Sequence, residues 1–136
     1  MAQIFKVTKI MHFCYGHRLL NYEGKCRYLH GHNAKVEIEL ANATLDSRGM
    51  VVDFNEVKQK LQTWIDSALD HKLILNRADP VIPQLTALKE PFVTLEENPT
   101  AETLAKLIFE RSRSEGFPVT EVRLWETPTS FATYRA

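Results

Sequence analysis

Apolar positions recur with a period of two near both ends of the chain and with a helical period between them. Over residues 3–13, Phe5, Val7 and Met11 share one phase while Lys6 and Thr8 take the other, which predicts a strand. Residues 34–40 alternate more cleanly, with Ala34, Val36, Ile38 and Leu40 on one face and Lys35, Glu37 and Glu39 on the other, as in a half-buried strand. A turn at Ser47-Arg48-Gly49 and the short apolar run Met50-Val51-Val52 follow. Asp53 is placed to cap a helix whose apolar stripe is Phe54, Val57, Leu61, Trp64, Ile65, Ala68 and Leu69. Residues 76–99 read as a long irregular connection holding four of the six prolines, Pro80, Pro83, Pro91 and Pro99. Pro99 and Thr100 open a second helix with Glu102 in its first turn, and Gly116-Phe117-Pro118 stops it. Two strands, 119–126 and 130–135, close the chain.

The order strand, strand, helix, helix, strand, strand predicts an α+β fold. Its sheet is four-stranded and antiparallel, with the two helices on one face. Such a sheet leaves its other face and its edges uncovered, which predicts association into a homo-oligomer.

Composition narrows the function classes. With 136 residues, 44% hydrophobic and 25% charged, the chain reads as one ordered domain spanning 1–136. Seventeen basic and seventeen acidic side chains cancel, so the basic excess of a general nucleic-acid binder is missing. The charge is uneven, however: residues 1–36 carry six basic side chains against the single acidic Glu23. Chance or a polyanionic small molecule would each account for that bias. No apolar run approaches the ~20 residues of a membrane helix. The first residues lack a signal-peptide pattern, and Cys14 and Cys26 are too few for a disulfide scaffold. A soluble protein of the reducing cytoplasm is expected.

Histidine carries the sharpest chemical signal. In His30-Gly31-His32 the two imidazoles point to one side of an extended chain and can reach one metal ion. His17, at the end of the first strand, joins them if that strand pairs antiparallel with the second. Three neutral imidazoles with one open position suit a catalytic zinc site. Cys26 is either a fourth ligand that closes the site or a thiolate base or nucleophile favoured by Lys25 and Arg27. Cys14, between Phe13 and Tyr15, reads as a small buried hydrophobe, and His12 as a solvent-facing strand residue. Asp70-His71 is either a carboxylate-oriented imidazole or a helix end compensated by a histidine. Glu126 shares its strand phase with Val122 and Leu124, so it must be paired or must meet a ligand, such as the amino and ring N–H groups of a heterocycle. A purely structural zinc site built from His17, Cys26, His30 and His32 would leave Glu126 and Asp70-His71 idle. A zinc deaminase would need H-x-E and C-x-x-C elements, which are absent.

The stretch Cys26-Arg-Tyr-Leu-His30-Gly-His32, preceded by Phe13 and His17-Arg-Leu19, resembles the 6-pyruvoyl- and 6-carboxy-tetrahydropterin synthase superfamily. Gly49-Met-Val-Val-Asp-Phe54, Leu69-Asp-His71, Asn98-Pro-Thr-Ala-Glu102, Glu126-Thr127 and Tyr134 extend the resemblance in order over residues 5–135. It implies the tunnelling fold, assembly as a trimer or as a hexamer of two trimers, and active sites between subunits. Carried over by position, His17, His30 and His32 would bind Zn2+, and Cys26 would abstract a proton. Asp70 and His71 would form a relay, and Glu126 would anchor a pterin, with Thr100, Glu102 and Thr127 lining the pocket. The implied substrate is 7,8-dihydroneopterin triphosphate. The spacing between Cys26 and His30 resembles the bacterial branch, which forms 6-carboxy-5,6,7,8-tetrahydropterin, acetaldehyde and triphosphate toward queuosine. The alternative branch eliminates triphosphate to give 6-pyruvoyl-tetrahydropterin. Residues 72–97 are longer than the bacterial pattern implies.

Overall fold

The computed structural model describes residues 2–136. Strand β1 (Phe5–His17) pairs antiparallel with β2 (His30–Asn42) along its whole length, from Phe5↔Asn42 to His17↔His30. Strand β1 thus extends well beyond the alternating stretch that predicts it. A 3-10 turn, Lys25–Arg27, lies in the connection between the two. Near the C-terminus, β5 (Val119–Thr127) pairs antiparallel with the outer edge of β2, and β6 (Ser130–Tyr134) with β5. These four strands are the antiparallel set expected from the alternation.

The sheet is larger than that expectation. Strand β3 (Lys72–Asn76) joins β1 in parallel, Tyr15↔Lys72 to His17↔Ile74, and β4 (Phe92–Leu95) joins β3 in parallel. The result is one mixed six-stranded sheet in the order β4-β3-β1-β2-β5-β6, not a four-stranded antiparallel one. Periodicity missed β3 because Leu73-Ile74-Leu75 is a continuous apolar run. Its last two residues are both fully buried, and such a strand does not alternate.

Three helical segments, α1 (Phe54–Val57), a π-helical stretch (Lys58–Gln62) and α2 (Thr63–Ala68), run on continuously as one rod. The Asp53 side chain caps its start by accepting the Asn55 N–H. Val57, Leu61, Ile65 and Leu69 enter the core, whereas Phe54, part of the expected stripe, is exposed. A later helix, α4 (Ala101–Ser114), is capped by Thr100 and buries Leu104, Ala105, Ile108 and Phe109. Both helical elements pack with the sheet face that carries Met11, Phe13, Ala34, Val36, Ile38, Leu40, Val122 and Leu124. Ile10, His12, Cys14, Lys35, Glu37 and Trp125 have the opposite parity and stay half-exposed or exposed. His12 is thus the solvent-facing residue that its sequence position suggests.

The long connection is not irregular. It contains β4 and a third helical element, α3 (Ile82–Leu88), and it is pinned to the end of β1 by a buried ion pair. Arg18 Nε donates to Asp79 Oδ2 at 2.7 Å, and a second guanidinium N–H reaches the other oxygen. Asp79 is buried and also accepts the Val81 N–H at 2.9 Å. The Arg18 guanidinium holds the Asp79 carboxyl below the usual carboxylate range. No helix of the described residues is long and apolar enough to cross a membrane.

Candidate active site

The pairing of His17 with His30 and of Tyr15 with His32 puts three imidazoles on one face at the end of the β1–β2 ladder. Their ligand atoms lie within 4.8 Å of one another. His17 is almost fully buried, with its ring centroid 4.5 Å from that of His30 and 5.1 Å from that of His32. Main-chain carbonyls fix two of the tautomers. His17 Nδ1 lies 2.7 Å from the Pro99 oxygen and His30 Nδ1 lies 2.7 Å from the Tyr28 oxygen. A carbonyl only accepts, so both Nδ1 atoms carry the proton and both Nε2 atoms present a lone pair.

The Nε2 atoms of His17, His30 and His32 are buried and have no hydrogen-bond partner. Burial lowers His17 to about 4, and the neighbouring His30 and His32 add to the shift against the Pro99 hydrogen bond. His32 is also lowered by burial, with Glu126 opposing the shift. Imidazoles whose buried Nε2 atoms converge, two of them anchored through Nδ1 on a carbonyl, are the donor set of a zinc ion. The residues present fit that group.

Glu126, at the end of β5, stands over this cluster. Its Oε2 is 2.9 Å from His32 Nε2 and 3.6 Å from His17 Nε2, close in distance but not aligned as a hydrogen bond. Its strand phase predicted this inward position. Tyr15, which the sequence reading passed over, stacks edge-on against His17 at 5.1 Å with its buried hydroxyl unpartnered. Burial raises the Tyr15 phenol, and the Glu126 charge raises it further. Its phase with Phe13 and His17 was the available signal.

A second group lies on the opposite parity of β1. His71 Nδ1 is 2.7 Å from Asp70 Oδ2, the carboxylate-oriented imidazole of the two readings left open by sequence. Burial pushes Asp70 upward, but hydrogen bonds from the Cys14 N–H and from His71 outweigh it and hold the carboxyl below its ordinary value. The thiol at this imidazole is Cys14, with Sγ 3.5 Å from both ring nitrogens. Cys14 is therefore not the small buried hydrophobe its apolar neighbours suggested: the neighbours point to the core face, and it points away. A cleft of about 590 Å³ is bounded by Cys14, Gly16, His30, His32, His71 and Leu73, so it borders both groups.

The other expected site residues are dispersed. Cys26 is half-buried in the Lys25–Arg27 turn and belongs to neither ligand group; its main-chain oxygen accepts the Leu19 N–H at 2.8 Å. Thr100 is occupied as the cap of α4, accepting the Thr103 N–H at 3.2 Å. Glu102 and Glu126 share a separate cleft beside β6. The Thr127 hydroxyl lies 3.3 Å from that of Thr129 in the β5–β6 turn. Asn98 clamps the segment after β1, accepting the Leu20 N–H and donating to the Leu20 oxygen.

Comparisons with known proteins identify the family and the fold. Residues 6–136 match the family described as 6-pyruvoyl tetrahydropterin synthase. A 6-carboxy-5,6,7,8-tetrahydropterin synthase of Rickettsia bellii is 37% identical over 135 residues, covering 94% of this chain and 98% of that protein. An uncharacterized protein of Wolinella succinogenes superposes with a TM-score of 0.82 at 30% identity, covering 98% of both chains. The 6-pyruvoyl tetrahydropterin synthase of Caenorhabditis elegans shares the fold, with a TM-score of 0.73 at 23% identity over 98% of this chain and 96% of that one. Fold and relatives together define an enzyme of the lyase type. The chain belongs to the 6-pyruvoyl tetrahydropterin synthase family.

Proposed function

We propose that the protein converts 7,8-dihydroneopterin triphosphate to 6-carboxy-5,6,7,8-tetrahydropterin, acetaldehyde and triphosphate, as a zinc enzyme of queuosine biosynthesis in the cytoplasm. The observation that carries this reading is the convergence of the three unpartnered Nε2 atoms of His17, His30 and His32 beneath the Glu126 carboxylate. Zinc held by those three residues would polarise a side-chain oxygen of the substrate and acidify the adjoining C–H bonds. Glu126 accepts hydrogen bonds from the pterin amino and ring N–H groups and so fixes the ring over the cluster. Cys26 takes a proton from carbon, and His71, oriented by Asp70, moves a proton on the opposite side of the side chain.

Within one chain, Cys26 belongs to neither ligand group, and the thiol beside His71 is a different one. The proposed reaction therefore works in a homo-oligomer, a trimer or a hexamer of two trimers. There Cys26 of one copy meets the relay of another, and Thr100, Glu102 and Thr127 are outer parts of the pocket.

Mass spectrometry of the products formed from 7,8-dihydroneopterin triphosphate by zinc-loaded protein tests the reading. Expected are 6-carboxy-tetrahydropterin and acetaldehyde. Finding 6-pyruvoyl-tetrahydropterin alone would move the protein to the other branch of the family, and no turnover would overturn the substrate.

A further inference from the structure

Three atoms of Cys14 grip the Asp70–His71 pair. Its N–H donates to Asp70 Oδ1 at 2.9 Å, its carbonyl accepts the His71 N–H at 2.8 Å, and its sulfur lies 3.5 Å from the imidazole nitrogens. The carboxylate at Nδ1 is an acceptor, so Nδ1 carries the proton and Nε2 is left as the base. The Cys14 sulfur lies 3.5 Å from that nitrogen and equally far from Nδ1, so a small turn of the ring brings the thiol onto Nε2. The His71 backbone is left-handed, with φ 59°, a conformation that costs a histidine free energy. The two main-chain bonds from Cys14 hold it there. Sulfur and imidazole both open on the cleft of about 590 Å³.

We propose that Cys14, His71 and Asp70 form a thiol–imidazole–carboxylate unit, in which His71 Nε2 takes the thiol proton as the sulfur attacks a small soft electrophile entering the cleft. Where the pair serves as the proton relay of the proposed reaction, a step resting on that reading, Cys14 is its positioning residue. With iodoacetamide as the electrophile, an S–C bond forms, the C–I bond breaks, iodide leaves, and the proton passes from sulfur to Nε2 and on to water. Among the described residues of its own chain, Cys26 belongs to no such group.

The test uses the zinc-loaded 136-residue chain carrying Cys26→Ser, which leaves Cys14 as its one thiol. Alkylation by iodoacetamide at neutral pH is followed by mass spectrometry. Adding His71→Asn is expected to slow it by roughly tenfold; asparagine is chosen because it tolerates the left-handed backbone. Asp70→Asn slows it less. A rate that is unchanged or faster in both variants overturns the unit. In the otherwise unaltered enzyme, Cys14→Ala is expected to lower kcat by about tenfold with KM little changed, and Cys14→Ser to restore most of it. Equal kcat for all three overturns the positioning role. An enzyme that fails to turn over 7,8-dihydroneopterin triphosphate but keeps the His71-dependent alkylation sinks the functional reading and leaves the unit standing.

Discussion

Strand β1 presents His17 and Tyr15 to one side of the sheet and Cys14 and Gly16 to the other, and the two sides handle their polar atoms differently. On the helix-covered side, three imidazole nitrogens and a phenol hydroxyl are buried without partners. Buried polar atoms without partners cost roughly 1–3 kcal/mol each, a cost that a bound ion and its ligand would remove. On the other side, carboxylate, imidazole and thiol satisfy one another, and the His71 side chain is 79% exposed. The first group turns unpartnered lone pairs toward one another, and the second is closed among its own members. A shift of one residue in the register of β1 would exchange the two environments and abolish both.

The sharpest way to break this contrast is His30→Ala. Loss of a direct ligand is expected to cost at least about 100-fold in zinc affinity, beyond what removing an outer partner costs. Metal analysis after dialysis checks this, and alkylation of Cys14 in the same protein should not change. On turnover instead of metal affinity, Cys26→Ala and His71→Asn are each expected to lose ~10²–10⁴-fold while keeping their zinc. Mixing these two inactive proteins under conditions that allow subunit exchange should restore part of the activity. Mixtures as inactive as their parts would rule out a site completed by a second copy.

Asp79→Asn acts on the anchor at the end of β1 and should destabilise the fold by about 2 kcal/mol, since it removes a buried charge-assisted pair. The folded Asp79 carboxyl sits below its unfolded value, so the unfolded chain binds the proton first as pH falls. The stabilisation is therefore present above about pH 4 and is lost as pH drops through the folded value. Denaturant midpoints of parent and variant should differ at pH 7 and converge as the pH falls below about 4. The smallest effect belongs to Thr100→Ala, which removes the cap of α4 for about 1 kcal/mol. Because the neighbouring Pro99 carbonyl fixes His17, a slight loss of zinc affinity should accompany it.

Much of this was legible in the chain. Alternation in residues 34–40 gave the central strand with its correct buried face, and His30-Gly31-His32 with His17 gave the imidazole cluster. Glu126 was placed inward by phase alone. Parallel strands were not legible, because Leu73-Ile74-Leu75 lacks the period that marks a half-buried strand. Nor was the role of Cys14: its neighbours Phe13 and Tyr15 are apolar, but they point to the other side of the sheet. Asp79 gave no periodic signal, because its partner Arg18 is distant in sequence and the two meet only through the fold.

The strand order also sets a hazard during synthesis. Strand β2 is complete at Asn42, but its outer neighbour β5 begins only at Val119. As the chain leaves the ribosome, the β1–β2 hairpin can close early, since its partners are near in sequence. The other edge of β2, backed by Val36, Ile38 and Leu40, then waits unpaired while all three helical elements are made. An unpaired apolar edge is a template for another chain. Truncations that remove β5 should therefore give aggregates rather than a smaller soluble fold, and pauses in translation before Val119 should lower the yield of native protein.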